Sequence, residues 1–347
     1  LALLPHDKQS RAENHPAPGG SCFTPYRCLL PRGLEGIIVT GLGISMHRDA
    51  TAMVRMQRDL HNQGYAAGVA AAMAVQAGVV PRLIDVKSLQ RHLVEIGSLP
   101  EEVLSHSDSF PMPENKIREA VAQLPGAGNP EEAGLPLAII LSHKEESLPI
   151  LKRAYSGAES EARLCYARVL GFLGDKTVVP ELATELEKVS EWDGRIFQGS
   201  MAEYAHLPTP IDTLILALGM TRDLRALSPL LEKLRTLDAE VTLSHHRSLA
   251  LALESIRSPE AAEPLAALLS KPGMSGHVMN QLEPLFDHPM KKRRRLGALR
   301  EIALARALYR CGDYEGLGEE ILRSYQADLR GIFARHARDV LTPSPTS

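Results

Sequence analysis

One helix–turn–helix phrase recurs along the second part of the chain, and it limits the fold more than any other feature. Its clearest copy is residues 163–186, RLCYARVLGFLGDKTVVPELATEL. The pattern predicts an apolar helix that ends at residues 171–174 and a tight turn that begins at Asp175. A second helix is predicted from about Val178, with Pro180 in its first turn, where the missing N–H of proline costs nothing.

The phrase returns at residues 213–234 and 247–269, with weaker copies at 137–155 and 298–322. A single pair of short helices cannot bury its apolar face alone, so neighbouring pairs must stack. This pattern resembles HEAT-like helical repeats, and the resemblance implies an α-solenoid over residues 133–341. The insertions at 191–210 and 271–289 are expected to project as loops from one edge.

Composition excludes several classes of partner. The chain has 347 residues, enough for two or more domains, and a formal net charge of -3 with a pI near 6.5. Such a balance offers no general attraction to nucleic acid or to an anionic membrane. No apolar run reaches the roughly 20 residues that cross a bilayer. We therefore expect a soluble protein, either cytoplasmic or exported, because the sequence does not decide the compartment.

The remaining segments differ in composition and in hydrophobic periodicity. Residues 1–21 are polar and aperiodic, which predicts an irregular segment. A helix is predicted from Asp85, with Leu89, Leu93 and Ile96 on one face and Gly97 at its end. Residues 98–132 are rich in proline and glycine and predict a linker that contains one helical patch at 114–124.

A stretch from residue 36 to residue 78 carries the most specific pattern of the first part. Residues 36–41, GIIVTG, predict a short buried strand that ends on glycine, and residues 63–72, QGYAAGVAAA, predict a helix with few side chains on its first turns. A helix N-terminus exposes free N–H groups and a partial positive charge. Phosphates and flavin rings can lie directly on such a backbone. Close packing of the helix on a sheet, without any ligand, would use the same glycines.

Several motifs agree in order with one family. They are TPYRCLLP at 24–31, GIIVTG at 36–41, Ile44-Ser45, Arg55-Met56, GYAAGVAA at 64–71 and VPRLIDVKSLQ at 80–90. Together they resemble the C-terminal end of a FAD-dependent oxidoreductase domain, over about residues 22–97. The resemblance implies the end of an α/β flavin-binding domain, a short strand plus a Gly/Ala-rich helix. The fold class expected for the whole chain is therefore mainly α.

The resemblance also implies a cofactor, FAD, and a set of residues near it. In the family the strand–glycine turn and the following helix close over the FAD, with the helix start near the flavin. Arg55 would face the flavin side of the cleft, and Arg55 and His47 are the only catalytic candidates that we name. Two residues depart from the family pattern: Leu42 stands where many members have Arg, and Tyr65 where many have Gln. The residues expected to line the cofactor are Gly41, Ser45, Gly64, Ala66, Ala67 and Gly68.

A second reading of the glycine turn is rejected. Gly41-Leu42-Gly43 after a predicted strand is similar to the start of a dinucleotide fingerprint. Met46 stands where the third glycine is required, and no long helix opens directly at the turn.

No other residues form a convincing chemical site. Cys22, Cys28, Cys165 and Cys311 include no C-x-x-C pair, and we expect no metal. His245 and His246 are adjacent and should point to different sides of a helix. The run of Lys and Arg at 291–295 is interpreted as a solvated helix start and not as a nucleic-acid contact. Asp85 and Asp175 are interpreted as cap and turn residues.

Two functional hypotheses follow. In the first, the chain is the C-terminal part of a FAD-dependent oxidoreductase acting on a small-molecule substrate, and it carries a HEAT-like repeat domain that could bind a protein partner. The chain begins with Leu1 and its first motif belongs to the end of a family domain. The strand–GxGxxG–helix half is missing, so this chain alone is expected to be inactive. In the second hypothesis the chain is a non-catalytic HEAT-type interaction scaffold.

Overall fold

We describe the fold from a computed structural model of the chain. It describes residues 23–46, 54–106, 111–126, 130–194, 208–282 and 291–342, and of residues 130–133 and 291–294 it describes the backbone alone. The chain forms two compact units, Leu1–Met112 and Pro113–Ser347, here called the N-terminal and the C-terminal unit. Among the described residues, none of the helices is both long enough and apolar enough to cross a membrane.

Two α-helices organise the described part of the N-terminal unit. Helix α1 is Gln57–Ala77, which ends where Gly78 takes a φ of 67°, and α2 is Val86–Glu95. Alanines of α1 are buried together with apolar side chains of α2 and of the loops. The connections contain short 3-10 helices at Tyr26–Leu29, Gly41–Gly43, Pro81–Leu83 and Glu101–Ser105.

Helix α2 begins and ends as the sequence predicts. The carboxylate of Asp85 accepts a hydrogen bond of 3.0 Å from the backbone N–H of the second helical residue, and Gly97 has a φ of 74° just after the helix. Leu89 and Leu93 are buried as expected. Ile96 is 47% exposed, because it is already the C-cap residue and has left the helical register. Its place on the buried face was predicted wrongly.

The strand predicted at residues 36–41 is not formed. Thr40 has extended backbone, with φ −124° and ψ 176°, and the N–H of Val39 donates to the carbonyl of Leu29 at 2.8 Å. A strand becomes part of a sheet only when a neighbouring strand pairs with its N–H and C=O groups. The described residues contain no β-strand that could do so. The expectation of a mainly α chain is confirmed, and the α/β element is not seen in them.

The C-terminal unit is built from helices alone in the part that the structure describes. Helix α6 (Ser160–Phe172) ends in the predicted turn, and α7 (Val179–Glu187) begins with Pro180 in its first turn, as the repeated phrase predicts. The helices are α3 Glu114–Gln123, α4 Pro130–Ser142, α5 Lys144–Gly157, α6 Ser160–Phe172, α7 Val179–Glu187, α8 Pro210–Met220, α9 Leu227–Arg235, α10 Leu243–Ile256, α11 Ala262–Leu269, α12 Lys291–Arg310, α13 Leu317–Tyr325 and α14 Gly331–Leu341.

These helices stack in two rows. In the first row α6, α8, α10 and α12 each contact the next member, and in the second row α7, α9 and α11 do the same. Each helix of the second row also contacts the following helix of the first row. One continuous apolar core, from Ala120 to Ala337, joins the helices of both rows with α3, α4, α5, α13 and α14. The core therefore depends on stacking of neighbours, as the sequence argument anticipated.

Four junctions in this stack share one local geometry. At each, a residue of positive φ is followed by Asp or Ser, and three of the four continue into a 3-10 turn that opens the next helix. The carboxylates of Asp175 and Asp223 each accept a hydrogen bond of 2.9 Å from the N–H two residues ahead, which confirms the turn role of Asp175. The positive-φ residues are Gly174 (φ 90°), Arg222 (φ 53°), Arg257 (φ 57°) and Gly312 (φ 102°).

Glycines allow the first-row helices to approach closely. A Cβ atom on Gly171 of α6 would lie 2.9 Å from the carbonyl oxygen of Ala217 in α8. On Gly219 of α8 it would lie 2.3 Å from the Cα of Ala252 in α10. Only glycine leaves room for backbone at such distances.

The expected linker and insertions are more ordered than predicted. Residues 98–132 include the 3-10 helix Glu101–Ser105 and α3, and α3 supplies Ala120 and Val121 to the C-terminal core. The predicted helical patch at 114–124 is thus confirmed. The described starts of both insertions also pack inward: Met274 is fully buried, and Trp192 is partly buried against the C-terminal core. The description of these segments as projecting loops was wrong there, while the domain boundaries themselves stay a prediction.

Candidate functional site

The Gly41–Gly43 turn is the first part of the predicted flavin surface. Gly41 has a φ of 71°, which favours glycine, and a Cβ built on it would meet nothing within 4 Å. The N–H of Ser45 donates to the carbonyl of Cys28 at 2.8 Å and fixes the end of the turn. The turn packs against α1. The glycine turn and α1 are therefore neighbours in the described part of the N-terminal unit.

Helix α1 divides the predicted cofactor residues between two faces. Gly64 and Gly68 are exposed, and a Cβ on either would meet nothing within 4 Å. Ala66 and Ala67 are 2% and 7% exposed and belong to the buried side of the helix. Gly64 and Gly68 can thus present bare backbone to a ligand, whereas Ala66 and Ala67 serve packing in the described unit.

The positive end of α1 is not at Gly64. The helix begins at Gln57, two turns earlier, so the N–H of Gly64 is inside the helix and not at its N-terminus. The predicted helix start at Gly64 was wrong, because residues 57–63 are compatible with a helix although the glycine pattern begins later. Arg55 lies exposed just before this N-terminus and makes no hydrogen bond or ion pair with the described residues. His47 lies outside the described residues.

Tyr65, one of the two departures from the family pattern, is fixed by α2. Its hydroxyl lies 3.0 Å from Nε2 of His92, and the two rings stack with centroids 6.1 Å apart. The side chain is still 47% exposed. Tyr65 thus extends the exposed glycine face of α1 with an aromatic ring of fixed orientation.

The described part of the N-terminal unit leaves large apolar side chains exposed and some buried polar atoms unpaired. Leu34, Ile37, Leu42 and Met56 are each between 47% and 69% exposed, a high share of large apolar side chains for so small a unit. Conversely, buried polar atoms have no hydrogen-bond partner in Thr24, Gln63 and Gln90. Natural cores leave few such groups unsatisfied.

The described thiols and carboxylates form no metal site. No group of three or more His, Cys, Asp or Glu side chains within the described ranges could hold an ion. Burial raises the pKa of the Cys28 thiol and raises that of Cys311 to about 11, so neither thiol is activated. Cys28, Cys165 and Cys311 are all free thiols, and Cys22 lies outside the described residues. Arg295 of the basic run has an interaction partner, and the side chains of residues 291–294 lie outside the described part of the structure.

A groove of about 960 Å³ lies between α6 and α7 of the C-terminal unit. It contains three basic and three acidic side chains, and Arg163 is paired with Glu181 at 2.8 Å. The opposite charges cancel, and nothing in the groove indicates a particular ligand.

Sequence reasoning missed a buried polar cluster in the C-terminal unit. Asp212 and His245 are fully buried, and Oδ1 of Asp212 lies 2.8 Å from Nδ1 of His245. The other ring nitrogen lies 2.8 Å from the carbonyl oxygen of Asp193, and the ring of Trp192 stands 4.5 Å away. A capping box between Thr209 and Asp212, visible as T-x-x-D before an apolar run, was the available signal.

The two adjacent histidines face different partners, as predicted from their spacing. Both ring nitrogens of His246 face carbonyl oxygens, those of Thr242 and Asp238, at 3.1 and 2.9 Å. Burial lowers the pKa of His246 to about 4. Burial also acts against the charged form of His245, but the hydrogen bond and the negative charge of Asp212 outweigh it and raise the pKa of His245.

A second buried carboxylate, Glu301, anchors the start of the later insertion. Its two oxygens accept hydrogen bonds of 2.8 Å from the N–H groups of Gly276 and His277, and the hydroxyl of Tyr325 donates to it at 2.7 Å. Every partner is structural, so this carboxylate is an anchor and not a reactive group.

Comparison with known proteins points to the first part of the chain. Residues 5–93 match the model of the family described as FAD dependent oxidoreductase. Neither the curated proteins nor the solved structures gave a match. The family match supports a FAD-dependent oxidoreductase domain in the N-terminal part of the chain, and with it FAD as the cofactor.

Proposed function

We propose that residues 22–97 are the C-terminal segment of a FAD-binding oxidoreductase domain and that the full-length protein is a FAD-dependent oxidoreductase. The observation that carries this proposal is the agreement between the family match at 5–93 and the ordered motifs at 24–90. A bound flavin would accept a hydride from a substrate carbon, and the protein would orient the reactants. The substrate is not indicated by any residue in this chain.

The unsatisfied surface of the N-terminal unit supports the proposal. Exposed Ile37 and Leu42 stand on the extended segment and on the glycine turn, where the rest of such a domain would cover them. The backbone N–H groups of Ile37 and Ile38 have no backbone partner among the described residues, as expected of an edge that awaits a strand. The buried Oε1 of Gln63 and both amide atoms of Gln90, which have no hydrogen-bond partner, fit the same interpretation.

The residues of the predicted flavin surface fit a flavin in part. Bare backbone at Gly41, Gly64 and Gly68 would let a flat ring approach closely. Arg55, beside the true start of α1, would place a fixed positive charge and a helix N-terminus near a negative edge of the cofactor. Ser45 is exposed at the end of the turn and can supply a hydroxyl. The roles of Ala66 and Ala67 would be to hold α1 in place.

The test uses the full-length protein and its flavin content after purification. Gly68→Leu should abolish flavin retention, because the side chain would occupy the space of the cofactor. The structure makes the variant informative, since nothing within 4 Å of the built Cβ would clash and the fold should persist. Gln76→Leu, at another exposed position of α1, is the matched control and should keep its flavin. Full occupancy in Gly68→Leu with an intact circular dichroism spectrum would show that the cofactor lies elsewhere.

The chain of 347 residues alone should bind FAD weakly or not at all, because it contains no GxGxxG fingerprint to grip the ADP half. Stoichiometric yellow flavin on this purified chain would contradict that expectation.

We propose further that the C-terminal unit is an array of HEAT-like repeats that binds a protein partner. The two rows of helices and the four junctions of shared geometry support it. This also defines the second candidate function, a non-catalytic interaction scaffold. A full-length protein that folds but carries no flavin would favour the scaffold.

A further inference from the structure

His245 is placed in a way that specifies its protonation state. Its side chain is fully buried on α10, with Nδ1 2.8 Å from the Asp212 carboxylate and Nε2 2.8 Å from the Asp193 carbonyl. Both of these neighbours are acceptors. A neutral imidazole has one N–H and can satisfy only one of them, whereas an imidazolium donates to both.

The remaining neighbours also favour the charged ring. The ring centroids of Trp192 and His245 are 4.5 Å apart, a distance at which an aromatic ring stabilises a cation. The Asp193 carboxylate approaches Nε2 to 3.8 Å. The charged neighbour that opposes it is Lys233 of α9, whose ammonium lies 5.8 Å from the centroid of the Trp192 ring. His246, next to it on α10, is neutral over this pH range because burial lowers its pKa to about 4.

We propose that His245 forms a pH-dependent contact, here called the latch. Its doubly protonated ring holds the segment Trp192–Asp193 against helices α8 and α10, and loss of the Nε2 proton to solvent releases this segment. No bond other than N–H is broken in this step. Nδ1 of the neutral ring keeps its proton and still donates to the Asp212 carboxylate, because the buried charge of Asp212 would otherwise lose this partner. The Asp193 carbonyl, a neutral acceptor, is the contact that is lost.

Release of the segment Trp192–Asp193 would be local, because two other contacts of the segment remain. The indole N–H of Trp192 still donates to the hydroxyl of Thr236 at 3.1 Å, and the backbone N–H of Ile211 still donates to the Asp193 carboxylate at 3.2 Å. Both of these contacts lie nearer the surface than the His245 ring. The segment should therefore loosen around the indole while the helices stay folded.

The pH dependence of the latch follows from the pKa shifts of His245 and Asp212. The raised pKa of His245 gives stability that is complete below its unfolded value of about 6.5 and is lost as pH rises through the folded pKa. Burial opposes the charge of Asp212, but hydrogen bonds from His245 and Thr209 lower its pKa overall. That contribution is present above about 3.8 and is lost on acidification. The latch is thus closed in mildly acidic solution and opens on the alkaline side of 6.5.

The chain offers a direct probe, because Trp192 is its single tryptophan. A protonated imidazole beside an indole quenches its emission, so Trp192 fluorescence of the full chain should rise in one titration with a midpoint above about 6.5. The maximum should also shift to the red as the segment loosens. Far-ultraviolet circular dichroism should stay constant over the same range.

Two variants and one control test the assignment. His245→Asn keeps a donor for Asp212 but cannot titrate, so the transition should be lost. Asp212→Asn removes the carboxylate charge and should move the midpoint to lower pH. His336→Gln, at a half-buried histidine elsewhere in the same unit, should leave the wild-type transition unchanged.

The proposal is overturned if the wild-type chain shows no such transition, or if the transition persists in His245→Asn. A variant that fails to fold is replaced by a measurement on the wild type. Nitrogen-15 shifts of the His245 ring in the labelled full chain should show protons on both nitrogens at pH 6 and on Nδ1 alone after the transition. A ring with one proton at pH 6 would refute the latch.

Discussion

The closest approach between two helices of the first row allows a sharp prediction about packing. Gly219 of α8 faces Ala252 of α10, and a methyl group on Gly219 would lie 2.3 Å from the Cα and 2.4 Å from the Cβ of Ala252. Such distances are far inside van der Waals contact, so the substitution Gly219→Ala must move one helix away from the other. The neighbouring core residues would then lose contacts along both helices.

The expected magnitude combines two opposing terms. Overpacking of a close-packed site costs about 1–3 kcal/mol and more when backbone must move. Alanine in place of glycine in a helix gains about 1 kcal/mol through helix propensity. Because the nearest atom is backbone, we take the upper end of the first range and expect Gly219→Ala to lower the free energy of unfolding by about 2 kcal/mol. For a unit of this size that corresponds to a fall in Tm of about 4–8 °C.

The assay is thermal and urea unfolding of the full chain, followed by circular dichroism at a helical wavelength. Gly134→Ala in α4 is the matched control, since its Cβ would meet nothing within 4 Å and only the propensity gain remains. That control should be neutral or more stable by up to about 1 kcal/mol. Adding Ala252→Gly to Gly219→Ala should restore only a small part of the loss, because the Cα remains in place. A Gly219→Ala chain as stable as wild type would refute the close-contact argument.

Four further substitutions follow from local geometry. Asp85→Ala removes the N-cap of α2 and should destabilise that helix, seen as faster amide hydrogen exchange in α2 with the other helices unchanged. Hydrogen bonds and charge from Arg225 lower the pKa of Asp223 to about 2, so its stabilising contribution is present above 3.8 and is lost as pH falls through about 2. Asp223→Asn should therefore flatten this part of the acid unfolding curve, and an unchanged curve would contradict the prediction. Gly312→Ala, at a φ of 102°, should destabilise the chain by about 1–3 kcal/mol in urea unfolding, whereas Arg257→Gly, at a φ of 57°, should change stability by less than about 1 kcal/mol.

The sequence predicted elements whose signals are local. Asp85, Asp175 and Pro180 act through hydrogen bonds or steric limits within a few residues, and each stands where it was expected. The repeated phrase likewise predicted the order of helices in the C-terminal unit. Such signals survive because they do not depend on distant parts of the chain.

What the sequence did not predict depends on distant partners. The segment around Ile38 has strand propensity, but a strand also needs a neighbour, and none is present among the described residues. The start of α1 at Gln57 was missed because residues that precede the glycines carry only a weak helical pattern. The pair Asp212–His245 joins residues 33 positions apart, and spacing along one chain cannot show such a contact. The predicted flavin contacts stay a prediction for the same reason, since a ligand surface is completed by groups far away in sequence.

The stacking of each helix on its immediate neighbours has a consequence for how the C-terminal unit opens. Contacts that join only adjacent helices let the array unfold from its ends inward, one helix after another, without a single global event. Helices α8 and α10, each flanked on both sides, should then be the last to exchange their amide hydrogens, and α14 among the first. A partner that gripped the outer helices would slow exchange there before it affected the centre, so the pattern of protection along the chain would report where the partner binds.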